Sequence, residues 1–299
     1  MFLSDTSSHP EFSIIVPTYN RAKLIGETIK SLLDQTFKNY EIIVVDDGGT
    51  DNTKAIIEDI KDERVAYYWK PNAERGAARN YGASLAKGRY LNFFDSDDIA
   101  YSNHLETASR FISENPDVVT FHSGYDWTDV KMKKIRPTVA NTGLLNKKII
   151  KHNILSCNNV FIRKVEFDEL RFSEDRKLSG TEDWLLWLRI ACRYDILGLP
   201  TITSAIIEHD LRSMNIATGE NTLKRTMAFD ENIRLDTCLK QTVYKKAMAE
   251  MYYLTALYFS IEGRKRSRAI TFAVKAFKLS PVIIGTKRTL AIIKYLLKK

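Results

Sequence analysis

Short apolar runs alternate with helically spaced apolar positions along the first hundred residues. "FSIIVPTYN" (12–20) is β-rich and closes on polar residues. Ile25, Ile29, Leu32 and Leu33 then fall at helical spacing, with Asn20 as the expected cap. "YEIIVVDD" (40–47) is apolar through its middle, as strands covered on both faces are. "GGTDNT" leads into a helix carrying Ile56, Ile57 and Ile60, and a third strand is predicted at "VAYYW" (65–69). A helix in "ERGAARNYGASLAKG" stops at Gly88 before a fourth strand, "RYLNFF" (89–94). That order at short spacing predicts an α/β fold with a doubly wound, mainly parallel sheet.

Beyond Tyr101 the pattern predicts a helix over 102–115, a strand in "DVVTFHSGYDW" and a basic, irregular loop over 128–150. "NNVFIRK" (158–164) reads as a strand, "GTEDWLLWLRIACRYD" as a helix capped by Thr181, and "AIIEH" (205–209) as the last strand. From about Thr222 the periodicity is helical only. The chain therefore divides into an α/β domain over 10–218 and a C-terminal helical region over 219–299.

Composition adds little to this until charge is placed along the chain. Hydrophobic residues make up 44% and charged residues 27%, enough for a sizeable core. Cys157, Cys192 and Cys238 show no C-x-x-C spacing, so neither a zinc site nor a disulfide framework is predicted, which favours a reducing, cytoplasmic setting. The N-terminus has no basic and apolar leader pattern, and no uncharged apolar run reaches the roughly 18 residues of a membrane span. The net charge of +8 is uneven: from Gly263 onward there are many cations and no acid. No nucleic-acid recognition motif accompanies that tail, so nucleic acid is not an expected partner. Residues 282–297 mix Val282, Ile283, Ile284, Leu290, Ile292, Ile293, Leu296 and Leu297 with Lys287, Arg288 and Lys294, and Lys298 follows, which suits an interfacial helix on anionic lipid. The alternative is a helix packed on the catalytic domain with a solvated basic face.

In open α/β sheets ligands lie beyond the carboxyl ends of the strands. Three polar clusters sit at such ends: Pro17 to Asn20, Asp46-Asp47, and Asp95, Asp97 and Asp98 in "LNFFDSDDIA". Three carboxylates on one short turn repel each other unless a cation joins them. A hard divalent ion, Mg²⁺ or Mn²⁺, takes one or two carboxylates and completes its shell with substrate phosphates, which implies a nucleoside diphosphate ligand.

"IIVPTYNRAKLIGETIKSLLDQTFKNYEIIVVDDGGTDNT", "ERGAARNYGASLAKGRYLNFFDSDD" and "GTEDWLLWLR" together resemble the family 2 inverting glycosyltransferases of the GT-A fold, of bacterial surface-polysaccharide type. The likeness runs from about 12 to 210. It implies transfer of a sugar from a nucleotide-diphosphate donor, with uracil as the expected base, to a hydroxyl of a glycan or lipid-linked glycan. Residues 10–100 become the nucleotide-sugar half and 101–218 the acceptor half. Tyr19 is expected to pack on the base, Asp47 to bond its imide edge, and Pro17 to line that pocket. Arg79 is expected near the base or the diphosphate, and Asp95 towards the ribose. Asp97, with Asp98 as alternative, is expected to hold the metal.

"TEDW" matches the motif supplying the catalytic base, Asp183 ahead of Glu182. His209 is implied near the diphosphate or metal, Arg212 as a diphosphate clamp, Trp184 beside the sugar, and Asn158 and Asn159 on the acceptor side, with Trp187 assigned to the core. Gly49 departs from the family, which often has Ser there. The chemistry is consistent: displacement at the anomeric carbon needs one base, and a metal-bound diphosphate leaves without a general acid, unlike the two-carboxyl glycosidases.

Other readings fare less well. A sugar-phosphate nucleotidylyltransferase would show a Gly-rich loop after the first strand, and "PTYNRAK" has none. A phospho-receiver module leaves "TEDW" unexplained, and a non-catalytic nucleotide-sugar binder has no use for a complete set of acids. The location expected is cytoplasmic, peripheral on the inner face of the membrane.

Overall fold

A computed structural model describes residues 9–210, 218–263, 265–282 and 287–297. They form two compact units. One comprises Met1–Leu145, Leu155–Glu174 and Tyr194–His209, the other Asn146–Ile154, Asp175–Arg193 and Asp210–Lys299.

The first unit opens with β1 (Phe12–Thr18), α1 (Ile25–Leu33), β2 (Tyr40–Asp47), α2 (Thr53–Asp59), β3 (Val65–Lys70), α3 (Glu74–Leu85) and β4 (Tyr90–Phe93). Strands β3-β2-β1-β4 lie in that order and all run parallel. Their interiors are buried because helices cover both faces: Ile14, Ile15, Val16, Ile42, Val44 and Val45 are all fully inaccessible. The face of α1 carrying Ile25, Ile29 and Leu32 packs into this core. On α3, small residues let the helix sit close to the sheet. A Cβ added at Gly82 would come within 2.5 Å of the Ile15 side chain.

Asn20 does not cap α1. It adopts φ 52°, and its Oδ1 accepts the amide of Thr50 at 2.8 Å, pinning the loop after β1 to the loop after β2. An Asn tolerates that left-handed conformation, so its local use is in the turn.

The second half of the sheet is mixed. The chain continues through β5 (Ile99–Ala100), α4 (His104–Glu114), β6 (Thr120–Asp129), β7 (Lys134–Val139) and β8 (Gly143–Leu144). It leaves for the other unit at α5 (Asn146–Ile149) and returns with β9 (Val160–Arg163), α6 (Lys164–Leu170) and, later, β10 (Ile196–Glu208). β9 runs antiparallel between β4 and β6, while β6 and β10 are parallel.

The stretch predicted as an irregular loop, 128–150, is partly a hairpin. β7 pairs with β6, the Arg136 guanidinium lies 4.4 Å from the Trp127 ring centre, and Thr138 donates to buried Asp126 at 2.5 Å. An exposed edge strand has no apolar alternation to announce it. Residues 157–159 form a 3-10 turn ahead of β9 instead of its first residues. β10 begins nine residues before the predicted strand, its register shifting between Gly198 and Ile202.

The second unit holds α7 (Glu182–Ala191), α8 (Gly219–Leu235), α9 (Thr237–Thr242), α10 (Tyr244–Glu262), α11 (Arg266–Leu279) and α12 (Lys287–Leu297). Tyr253, Phe259, Phe272, Ala276 and Ile292 form one of its cores. Ile283 and Ile284, read as part of an interfacial helix, lie outside the described residues. Thr181 occupies the cap position of α7, but its hydroxyl turns back to the Leu178 carbonyl at 3.0 Å and does not cap. Contrary to the cysteine reading, Cys192 at the end of α7 and Cys238 on α9 form a disulfide, and only Cys157 is free. The pairing spans 46 residues and joins two helices, so no local spacing announces it. Cysteine usage therefore gives no argument for a reducing compartment. Among the described residues no helix is long and apolar enough to cross a membrane.

Candidate active site

Register brings the polar strand ends of the first unit together. Thr18 pairs with Asp46 and Asp47 with Lys70, so β1, β2 and β3 finish side by side. Pro17, in register with Val45, sits one residue inside this edge, and Tyr19 just beyond it is 52% exposed.

Asp46 and Asp47 divide their labour. Asp46 accepts the Gly49 amide on Oδ1 and the Tyr67 hydroxyl on Oδ2, both at 2.8 Å, and so shapes the turn. Burial and this carboxylate push the Tyr67 phenol above its ordinary range. A Cβ at position 49, where the family often has serine, would fall 2.6 Å from Asp46 Oδ1, so a side chain there would require that carboxylate to shift. Asp47 is buried, and its Oδ1 accepts both Lys70 Nζ at 2.6 Å and the Ala73 amide at 2.9 Å. Among the described residues no hydrogen bond is made to its Oδ2.

The acidic turn follows β4, whose end is fixed by the Phe94 amide bonding the Ile15 carbonyl at 2.9 Å. Its three carboxylates point to three different environments. Asp95, with its side chain 31% exposed, accepts Arg79 Nη2 at 2.9 Å, and Arg79 itself is buried with its guanidinium 5.2 Å from the Phe172 ring centre. Asp97 Oδ2 lies 3.1 Å from His209 Nε2 and 3.8 Å from Arg21 Nη2. Asp98 is wholly inaccessible. Its Oδ1 accepts the Ile207 amide at 2.8 Å and its Oδ2 accepts Asn158 Nδ2 at 2.7 Å. The carboxylate of Asp98 is thus turned into the fold, which corrects its assignment as an alternative metal ligand.

Asn158 and Asn159 are both completely buried and do not face an acceptor. Asn159 Nδ2 donates to the Gly124 carbonyl and to the hydroxyls of Ser123 and Thr203.

Within the second unit, Glu182 is 3% exposed and its Oε2 accepts the Gly180 amide at 2.6 Å. Asp183 is half-buried, held by Asn153 Nδ2 at 2.9 Å on Oδ2 and by the Trp184 amide at 2.7 Å on Oδ1. Trp184 belongs to the core and not to a sugar face: it is 2% exposed, stacks on Phe229 and donates its indole N–H to the Ile149 carbonyl. Trp187 is buried as expected. Arg212 lies outside the described residues.

Among the described residues no three His, Cys, Asp or Glu side chains are gathered so as to hold a metal by themselves. Asp97 and His209 offer one carboxylate and one imidazole 3.1 Å apart, and the buried Nδ1 of His209 has no partner among those residues. Two protein donors fit a divalent cation whose shell is completed by phosphate oxygens.

Sequence reasoning passed over Arg21, Lys70 and Asn153. Arg21 follows "PTYN" directly and Lys70 ends the strand beside Asp47, so strand adjacency was an available signal for both. Nothing local marks Asn153.

A mostly parallel sheet, an acidic turn after β4 and a C-terminal helical unit define the class as a GT-A-type glycosyltransferase fold. Residues 13–171 match the model of "Glycosyl transferase family 2", just over half of the chain, and the protein belongs to that family. It is 34% identical over 225 residues to an uncharacterized glycosyltransferase of Rickettsia conorii, covering 74% of this chain and 34% of that protein. The chain spans about a third or less of the length of the first three Rickettsia relatives it matches. It is also 34% identical over 255 residues to the Escherichia coli UDP-Glc:alpha-D-GlcNAc-diphosphoundecaprenol beta-1,3-glucosyltransferase WfaP, covering 84% of this chain and 93% of that one. Among solved structures, S. aureus TarS residues 1–349 with UDP-GlcNAc superpose with a TM-score of 0.70 at 22% identity, over 92% of this chain and 82% of that chain, a likeness of fold.

Proposed function

We propose that the protein is a metal-dependent, inverting glycosyltransferase that moves a sugar from a nucleotide-diphosphate donor, UDP-linked, to a hydroxyl of a lipid-linked glycan in surface-polysaccharide synthesis. The observation that carries the reading is Asp97 at the sheet edge, its carboxylate shared between His209 and Arg21. The UDP-glucose donor and diphosphoundecaprenol acceptor named for WfaP support the substrate classes.

In this reading Tyr19 stacks on the base and Oδ2 of Asp47 accepts its imide N–H, with Lys70 and the Ala73 amide fixing that carboxylate. Asp95, oriented by Arg79, bonds the ribose. Asp97 and His209 would hold a divalent cation, which would supply positive charge against the negative charge developing on the departing diphosphate. Arg21 adds positive charge on the same side. Asp183 takes the proton from the acceptor hydroxyl. Asn153 orients it, while Glu182 is committed to the Gly180 turn. Burial of Glu182 and partial exposure of Asp183 favour the aspartate as base.

We place the enzyme on the cytoplasmic face of the membrane, with the acid-free helical tail against anionic lipid. The test of the donor reading is a thermal-shift screen of UDP-, GDP- and dTDP-sugars with and without Mn²⁺. Stabilisation by a UDP-sugar that requires the metal is expected, and no metal-dependent stabilisation by any donor would overturn the reading.

A further inference from the structure

The acidic turn is anchored at both ends by one side chain. Asn158 Oδ1 accepts the Asp95 amide at 2.8 Å, and Asn158 Nδ2 donates to Asp98 Oδ2 at 2.7 Å. The backbone carbonyl of Asn158 is itself held by Asn92 Nδ2 on β4 at 2.8 Å, so the turn is braced against the strand it follows. Asp98 extends the brace: Oδ1 accepts the Ile207 amide of β10 at 2.8 Å, and its carbonyl accepts the Thr28 hydroxyl of α1 at 2.9 Å. Ile207 lies two residues before His209, and Asp97 lies between the two points where Asn158 grips the turn. Asn158 and Asp98 thus link the turn that carries Asp97 to the strand that leads to His209.

We propose that Asn158 is the positioning residue of the metal-holding turn, acting through Asp98 to set Asp97 opposite His209. The inference rests on the metal-dependent reading above. An amide suits the position because it accepts from a backbone N–H and donates to a carboxylate at once. A carboxylate in its place would keep the first bond, lose the second and set like charge against buried Asp98. Outer partners of metal ligands affect metal affinity by roughly 10–100-fold.

The test is Mn²⁺ titration in the presence of UDP, read as a dissociation constant, alongside UDP binding without metal and the melting temperature. Asn158→Asp is expected to weaken Mn²⁺ binding by about tenfold or more, with metal-free UDP binding unchanged. The exchanged pair Asn158→Asp with Asp98→Asn keeps the net charge. It restores the bridge with donor and acceptor reversed, while the amide oxygen introduced at position 98 still accepts the Ile207 N–H. It is expected to return Mn²⁺ affinity to within a few-fold of wild type. Normal Mn²⁺ affinity in folded Asn158→Asp overturns the inference alone. So does an exchanged pair that regains the wild-type melting temperature without regaining affinity. A wild-type protein without any Mn²⁺-dependent UDP binding overturns the metal reading and this inference with it.

Discussion

The imidazole Nε2 of His209 lies 3.1 Å from Oδ2 of Asp97, joining the residue after β10 to the turn after β4 across 112 positions of sequence. Neither residue is more than 15% exposed at its side chain, so the pair is largely desolvated. Asp97→Ala should abolish the Mn²⁺-dependent part of donor stabilisation while leaving metal-free UDP binding at Asp47 intact. His209→Ala should weaken Mn²⁺ by about tenfold or more, at least what an outer partner of a ligand contributes. Thermal shift against Mn²⁺ concentration reads both, and an unaltered metal response in Asp97→Ala would remove Asp97 from the site.

Asp183 and Glu182 separate by burial. Asp183→Asn should reduce transfer by about 10²–10⁴-fold, the usual contribution of a general base, with the donor dissociation constant unchanged. Glu182→Gln should act mainly on stability, since the carboxylate is buried against the Gly180 amide. Single-turnover transfer and donor titration measure the two effects. Wild-type transfer in Asp183→Asn would refute its role as base.

Two histidines give the first unit a pH dependence of known sign. His104 bonds Asn92 and Thr203, and His122 Nε2 accepts the Ser156 amide. Complete burial pushes both pKa values down to about 3. Unfolded histidine gains a proton below about 6.5, so between there and about 3 the unfolded chain binds more protons than the native one. The stabilisation is complete above about pH 6.5 and is lost progressively as pH falls. Each histidine accounts for about 2 kcal/mol between pH 6.5 and 5. Urea midpoints at pH 7.5 and 5.0 should show the loss, and His104→Gln should remove part of it. A midpoint as high at pH 5.0 as at 7.5 would contradict it.

The last helix has two apolar sides. Ile292 is buried and Leu296 packs on the helical core, while Leu290, Ile293 and Leu297 are exposed beside Lys294. Leu290→Ser with Ile293→Ser should lower the fraction of protein floating with anionic vesicles and leave the melting temperature unchanged. Flotation equal to wild type in that variant would argue against a lipid-facing tail.

Much of this protein could be read directly from the chain. The parallel strands β1 to β4 were legible because burial on both faces leaves continuous apolar runs, and the acids at their ends were legible because ligand sites lie beyond carboxyl ends. Family membership followed from several motifs in order. Local sequence did not reveal the hairpin β6-β7, the Cys192–Cys238 pairing or the core position of Trp184. The hairpin was hidden because its second strand is exposed and lacks apolar alternation, whereas the other two depend on a partner distant in sequence: another helix, and the ring of Phe229.

The division among the three carboxylates of "DSDD" is the sharpest case. The sequence by itself determined that negative charge would gather after β4. Only the tertiary structure decided that Asp95 turns to Arg79, Asp98 to Asn158 and Ile207, and Asp97 to His209. The reason is physical: each carboxylate takes its role from the donor that faces it, and those donors come from α3, the turn before β9, and β10 and its end.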